Sequence, residues 1–190
     1  MKKLSKEERQ QLLKHRIYKN PFLTDRELAE HFNVSIQTIR LDRMELKIPE
    51  LRQRTKEVAQ SAYKNLKSVN SGDIIGELIE LNLEERAESI LITTDNMAFK
   101  NGEIIRGHVI FAQANSLAVS VIDAREVLTG SASIRYHKRV FVNDKLHSTA
   151  TLINRKDHKY TVEIKTYREE ELVFSGEFIM FSMAERDDSE

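Results

Sequence analysis

Residues 104–123, IIRGHVIFAQANSLAVSVID, decide the architecture of the chain. Between Glu103 and Asp123 there is no carboxylate, and Val109, Ile110, Phe111, Leu117, Val121 and Ile122 fall on every side of a 3.6-residue repeat. A helix apolar all round must be wrapped rather than laid on a surface, so the stretch predicts a buried helix from about Gly107 to Ile122. Four β-rich runs follow: EVLTGSASIRYHKRVFV, KLHSTATLIN, YTVEIKTYR and ELVFSGEFIMF. Asn143-Asp144, KDHK and REEE are their natural hairpin connections. Upstream, IIGELIELNL and AESILITTD read as two further strands. One long buried helix among antiparallel strands predicts an α+β body with the sheet curled about the helix.

Outward from that body, the chain of 190 residues has room for a second small unit. Residues 1–70 hold 16 Lys and Arg against 9 Asp and Glu, a balance of +7, while residues 71–190 hold 14 against 21, a balance of −7. A basic segment on an acidic body suggests a head for a polyanion, although uneven surface composition of one domain would look the same. There is no cysteine, which removes disulfides and thiolate chemistry, and the six histidines lack metal-ligand spacing. No apolar run approaches the roughly 18 residues of a membrane span, and MKKLSKEERQQ has no signal-like apolar core, so a cytoplasmic, soluble protein is expected.

The basic segment reads as short capped helices. Ser5 and Glu8 open the first, with Leu12, Leu13, Ile17 and Tyr18 at near-helical spacing. Thr24 to Glu27 form a capping box for a second, with Leu28, Ala29 and Phe32 inward and Asn33 as a left-handed terminator. Ser35 caps a third, IQTIRLDRMEL, with Ile39 and Leu46 toward the core. Two helices joined by so tight a turn make a helix-turn-helix, although a small bundle with a basic face has the same pattern. On the helix-turn-helix reading Ser35, Gln37, Thr38 and Arg40 crowd the start of the recognition helix. Ser35 and the helix amides suit phosphate, Gln37 and Arg40 suit base edges, and Arg43 and Lys47 suit the DNA backbone. From Pro49 a further helix is expected, its stripe of Leu51, Val58, Ala62, Leu66 and Val69 fit either for docking or for a rigid spacer. Arg52 and Arg54 at its start are candidates for a minor groove. SVNSGD at 68–73 marks the boundary.

The stretch LTDRELAEHFNVSIQTIRLDRMEL resembles the helix-turn-helix of DeoR-type repressors, without the glycine-rich wing that follows there. RGHVIFAQANSLA resembles the helix segment of hot-dog acyl-CoA thioesterases, with Arg106 where those enzymes carry a histidine and Asn115 where they carry the helix carboxylate. An amide can neither take a proton nor attack a thioester, so the resemblance implies binding without catalysis. Together these segments, with IPELR between them, are similar to the FapR family of regulators of fatty acid and phospholipid biosynthesis. The resemblance implies residues 1–48 as DNA-binding head, 49–70 as amphipathic linker, 71–184 as hot-dog effector domain and 185–190 as a disordered tail. It further implies a homodimeric repressor on double-stranded operator DNA, with no cofactor, no catalytic residue and no metal, released by malonyl-CoA. Arg106 would then pair with the malonyl carboxylate, Gly107 would allow close backbone approach, Gln113 and Asn115 would hold the acyl-pantetheine arm, and Phe99 and Leu128 would line its channel. Leu51, Val58 and Ala62 would form the switch face of the linker. Two alternatives stay open: an active thioesterase using Glu103 or Asp123, and a repressor sensing another acyl-CoA. At residue level, Arg106 as a helix cap or partner of Glu103, and Asn115 as a satisfied core amide, are the competing readings.

Overall fold

The computed structural model describes residues 4–62, 66 and 75–183, the side chains of 60–62 excepted. They divide into two compact units, Met1–Val58 and Ala59–Glu190.

The first unit is helical: α1 (Lys6–Lys19), α2 (Asp25–Phe32), α3 (Ile36–Glu45) and the start of α4 (Leu51–Ala62). Local chemistry sets each boundary. Ser5 accepts from the Glu8 amide at 3.2 Å while the Glu8 carboxylate accepts from the Ser5 amide at 2.9 Å. Thr24 and Glu27 repeat the reciprocal pair, and Asn33 ends α2 at φ 51, ψ 51. At the end of α3 the Ile48 amide donates to Arg43 O at 2.9 Å and Lys47, at φ 56, to Met44 O at 3.1 Å, a Schellman closure carried by a lysine instead of glycine.

Leu13, Ile17, Leu28, Ala29 and Ile39 form the small core, with Leu23, Phe32, Val34, Leu46 and Ile48 against it. Leu12 and Tyr18 depart from the expected apolar face. Each lies about 100° around the helix from its buried neighbour, and Tyr18 is 88% exposed. Asp42 is buried and accepts from Arg9 at 2.6 and 3.2 Å and from Gln10 at 3.0 Å, joining α3 to α1. Burial alone would raise its carboxyl, but the Arg9 and Gln10 bonds outweigh that and hold it below the usual range.

The second unit is one antiparallel sheet in the order β1-β2-β4-β5-β6-β3, with α5 (Gly107–Ser120) against its inner face. The strands are β1 (Glu77–Asn82), β2 (Arg86–Ile92), β3 (Val127–Tyr136), β4 (Lys145–Lys156), β5 (Lys159–Arg168) and β6 (Glu171–Ser182). Period-2 alternation places Ala87 and Leu91, Leu146 and Ala150, Val162 and Ile164, and Phe174 and Phe178 in one core with Ile110, Ala114, Leu117 and Ala118 of α5. The expected hairpin points are present: Asn143, Asp157 and Glu169 all adopt positive φ. The helix closes two residues earlier than predicted, and β3 ends at Tyr136, after which residues 137–144 run as a loop.

Buried polar side chains interrupt the apolar core. Ser148 and Thr166 share a fully buried hydroxyl pair at 2.8 Å across β4 and β5. Gln113, also fully buried, donates to Ser89 Oγ at 3.2 Å, and its Oε1 has no partner among the described residues. The expected linker beyond Ala62 (Leu66 apart), the Ala62 side chain, Val69, the 68–73 boundary and the 185–190 tail lie outside the described residues. Leu66 packs against the core of this second unit.

Candidate nucleic-acid interface and effector site

The outward face of α3 is set by what its opposite face buries. Ile39, Asp42 and Arg43 point inward, which leaves Gln37, Arg40, Leu41 and Met44 on the solvent side. Ser35 caps the helix, accepting from the Thr38 amide at 3.1 Å, and its hydroxyl lies 2.9 Å from that of Thr38. Arg40 is exposed, with Nε 3.6 Å from Asp25 Oδ2. Lys47 and Arg52 are exposed.

Two arginines expected on DNA are turned inward instead. Arg43 donates from Nε and Nη2 to the two Asp25 oxygens at 2.7 and 2.8 Å and from Nη1 to Ile48 O at 3.1 Å. The planar fork matches a carboxylate, and the pair ties α3 to the first turn of α2. Arg54 spends its fork on three carbonyls, Pro21 at 2.9 Å, Pro49 at 2.5 Å and Leu23 at 2.6 Å. Burial first, and Arg43 second, pull its guanidinium down to about 10, so it is still charged at neutral pH. Neither side chain is available to a phosphate or a groove. The predicted linker stripe is altered by the same packing. Arg54, Thr55 and Ala59 are buried on α4 while Leu51 and Val58 are half-buried, and Thr55 satisfies its hydroxyl on Leu51 O at 2.8 Å.

In the second unit, the loop before α5 folds back on itself. Ala98 bridges to Ile105, the Phe99 amide donates to Ile104 O at 3.0 Å, and that of Arg106 to Met97 O at 3.0 Å. The Arg106 side chain neither caps α5 nor pairs with Glu103. Its Nε and Nη2 bond Met97 O at 3.1 Å and Asn96 O at 2.6 Å, leaving Nη1 without a partner among the described residues. Gly107 is held by Tyr136, whose hydroxyl donates to Gly107 O at 2.9 Å; a Cβ there would meet the ring at 3.2 Å. Asn115 Oδ1 accepts from Thr129 Oγ1 at 2.7 Å.

The expected grouping of Gln113 with Asn115 is not what the helix provides. Two residues apart, they point about 200° from each other. Gln113 meets Ser89 on β2 and Asn115 meets Thr129 on β3, with β4, β5 and β6 between those strands. Gly107 and Asn115 therefore share the β3 side, and Gln113 does not, while the Arg106 side chain is held by the 96–97 segment that follows β2. Phe99 and Leu128 are more than half exposed, so neither lines a closed channel within one chain. Sequence reading missed Tyr136, Thr129 and Ser89. Period-2 alternation from Leu128 would not have found the first two on one face, because the β3–β6 register shifts between Thr129 and Ser131.

Among the described residues no helix is long and apolar enough to cross a membrane. Residues 9–63 match the DeoR-like helix-turn-helix domain. The second unit shares its hot-dog fold with an uncharacterized protein from Pyrococcus horikoshii, at 32% identity and a TM-score of 0.56 over 60% of this chain and 87% of that one. A hypothetical thioesterase of Streptococcus pneumoniae matches at 14% identity and a TM-score of 0.51, over 57% of this chain and 91% of that one, a likeness of fold alone. Transcription factor FapR of Caldanaerobacter subterraneus is 46% identical over 183 residues, 96% of this chain and 92% of the relative. That of Staphylococcus aureus is 47% identical over 180 residues, 94% and 97%. With identity at this level running through both units and not the head alone, the chain belongs to the FapR family of transcription factors.

Proposed function

We propose that the protein is a cytoplasmic repressor of fatty acid and phospholipid biosynthesis genes that binds operator DNA as a homodimer and is released by malonyl-CoA, without catalysing a reaction or needing a cofactor. The observation that carries the effector half is a pair of substitutions on the α5 segment. Asn115 stands where a hot-dog enzyme needs a carboxylate and is engaged by Thr129. Arg106 is fixed by two carbonyls with one nitrogen to spare. The first removes proton transfer and the second supplies a preoriented cation for an acidic acyl end. Glu103 and Asp123 lie outside the helix and are exposed, which argues against a displaced catalytic acid.

Support for the dimer comes from β3. It is a ten-residue edge strand exposed along nearly its whole length, and its sequence, VLTGSASIRY, holds neither proline nor lysine to deter pairing. A second copy is the simplest way to satisfy its outer row of backbone groups, and it would bring Leu128 toward a partner surface.

In gel-shift titrations on self-selected DNA, malonyl-CoA is expected to dissociate the complex and acetyl-CoA to fail at equal concentration. Calorimetry should show malonyl-CoA binding about 30-fold tighter than acetyl-CoA, the equivalent of ~2 kcal/mol for one charge-assisted bond. Arg106→Ala should erase the difference. A variant that still discriminates would exclude Arg106 as the reader of the carboxylate, and turnover of the thioester would exclude the non-catalytic reading.

A further inference from the structure

The solvent face of α3 carries two large apolar side chains that the packing of its own unit does not explain. Leu41 is 51% exposed and Met44 71% exposed. At about 100° per residue, Leu41 lies roughly 200° and Met44 roughly 140° from the buried Ile39, on either side of Gln37 at roughly 160°. The face opposite the core of a surface helix is ordinarily polar, and here its centre is apolar. The rim is not: Arg40 flanks it, and Ser35 with the first amides of the helix stands at its start.

We infer that Leu41 and Met44 read thymine C5-methyl groups in the major groove, so that part of operator specificity is hydrophobic. The inference rests on the first unit being a DNA-binding head, and it names what the centre of the recognition face selects. Three observations favour duplex DNA over a protein as occupant. Residues 1–70 carry a balance of +7. Gln37 lies one helical turn before Leu41 on the same face, and its amide has the donor and acceptor pair that matches adenine. Arg40 beside them is exposed and free of any short contact to Asp25, the distance being 3.6 Å, which leaves its fork for a guanine edge or a phosphate. Within a groove read by these neighbours, the thymine methyl is the one apolar group that a base pair presents. A leucine and a methionine placed there gain by removing that methyl and themselves from water, whereas cytosine at the same position offers no such surface.

The test uses the full chain and a duplex that it enriches from a random-sequence pool. The duplex is resynthesised with every thymine replaced by uracil, which deletes the methyl and keeps the base pairing, and both forms are titrated at one fixed salt concentration. Each contacted methyl is expected to contribute about fourfold in affinity, so full replacement should weaken binding by about tenfold or more. Leu41→Ala/Met44→Ala, both at exposed positions, should retain the wild-type melting profile, bind the thymine duplex more weakly and no longer distinguish it from the uracil duplex. Equal wild-type affinity for the two duplexes overturns the inference. So does a double variant that keeps the full preference, or one that loses self-association while keeping it, since the apolar pair would then serve a protein contact. Failure to enrich any duplex would instead remove the DNA-binding reading on which the inference stands.

Discussion

Arg54→Ala unfolds the helix-turn-helix unit. Three carbonyls from Pro21, Leu23 and Pro49 lose their shared donor in a buried place, and no neighbour on α4 can replace a three-pronged fork. Each hydrogen bond to a charged group contributes about 1.5–3 kcal/mol, offset in part by relief from desolvating the guanidinium. A net loss of about 3–5 kcal/mol is expected. A unit of this size has a total stability of only a few kcal/mol, so that is enough to populate the unfolded state at growth temperature. Arg54→Lys should recover little, because an ammonium on a single point cannot span the three acceptors. Thermal melting of the full chain followed by circular dichroism should show an early helical transition in the variant. The β-rich transition should be unchanged. If DNA binding vanished with no change in melting, Arg54 would be a direct contact after all, and its inward geometry would be irrelevant in solution.

Arg43→Ala is expected to cost about 3–4 kcal/mol by a different route. It leaves the largely buried Asp25 carboxylate with the longer 3.6 Å contact to Arg40 and also frees the carbonyl of Ile48, the residue whose amide closes the end of α3. Breaking a buried ion pair by removing one partner is costly because the survivor keeps its desolvation penalty. Asp25→Ala should be nearly as damaging, since Arg43 is then the unpaired charge. The double variant should be less destabilised than the sum of the singles by about 2 kcal/mol. Urea titrations of the four proteins measure this directly. Additive losses would mean that the two residues act independently, contrary to the bidentate geometry.

These two arginines also mark where sequence reading stops. The caps at Ser5, Thr24 and Ser35 and the terminator at Asn33 were legible because each depends on residues three or four apart. The strands and the buried helix were legible because periodicity reports burial. Helical phase already turns Arg43 inward, one turn after Ile39 and about 40° from it, but the partner that takes its fork is not legible on α3, because Asp25 is contributed by α2. The effector side shows the same limit. Arg106, Gly107 and Asn115 could be nominated from one segment, but Thr129 and Tyr136 reach the last two on one face only through a shifted strand register. The resemblance groups Gln113 with Asn115, and about 200° of helical rotation separates them.

The strand order has a kinetic consequence. β4, β5 and β6 are neighbours in both chain and sheet and are joined by two-residue turns at Asp157 and Glu169, whereas β2 and β3 join this meander from far along the chain. Closing short loops first is entropically cheap, so our hypothesis is that the meander nucleates the body and the outer strands condense on it later. Val162→Ala on β5 should then slow refolding, while Leu81→Ala on β1 should chiefly hasten unfolding. The reverse pattern in stopped-flow traces would place the nucleus at the sheet's outer edge.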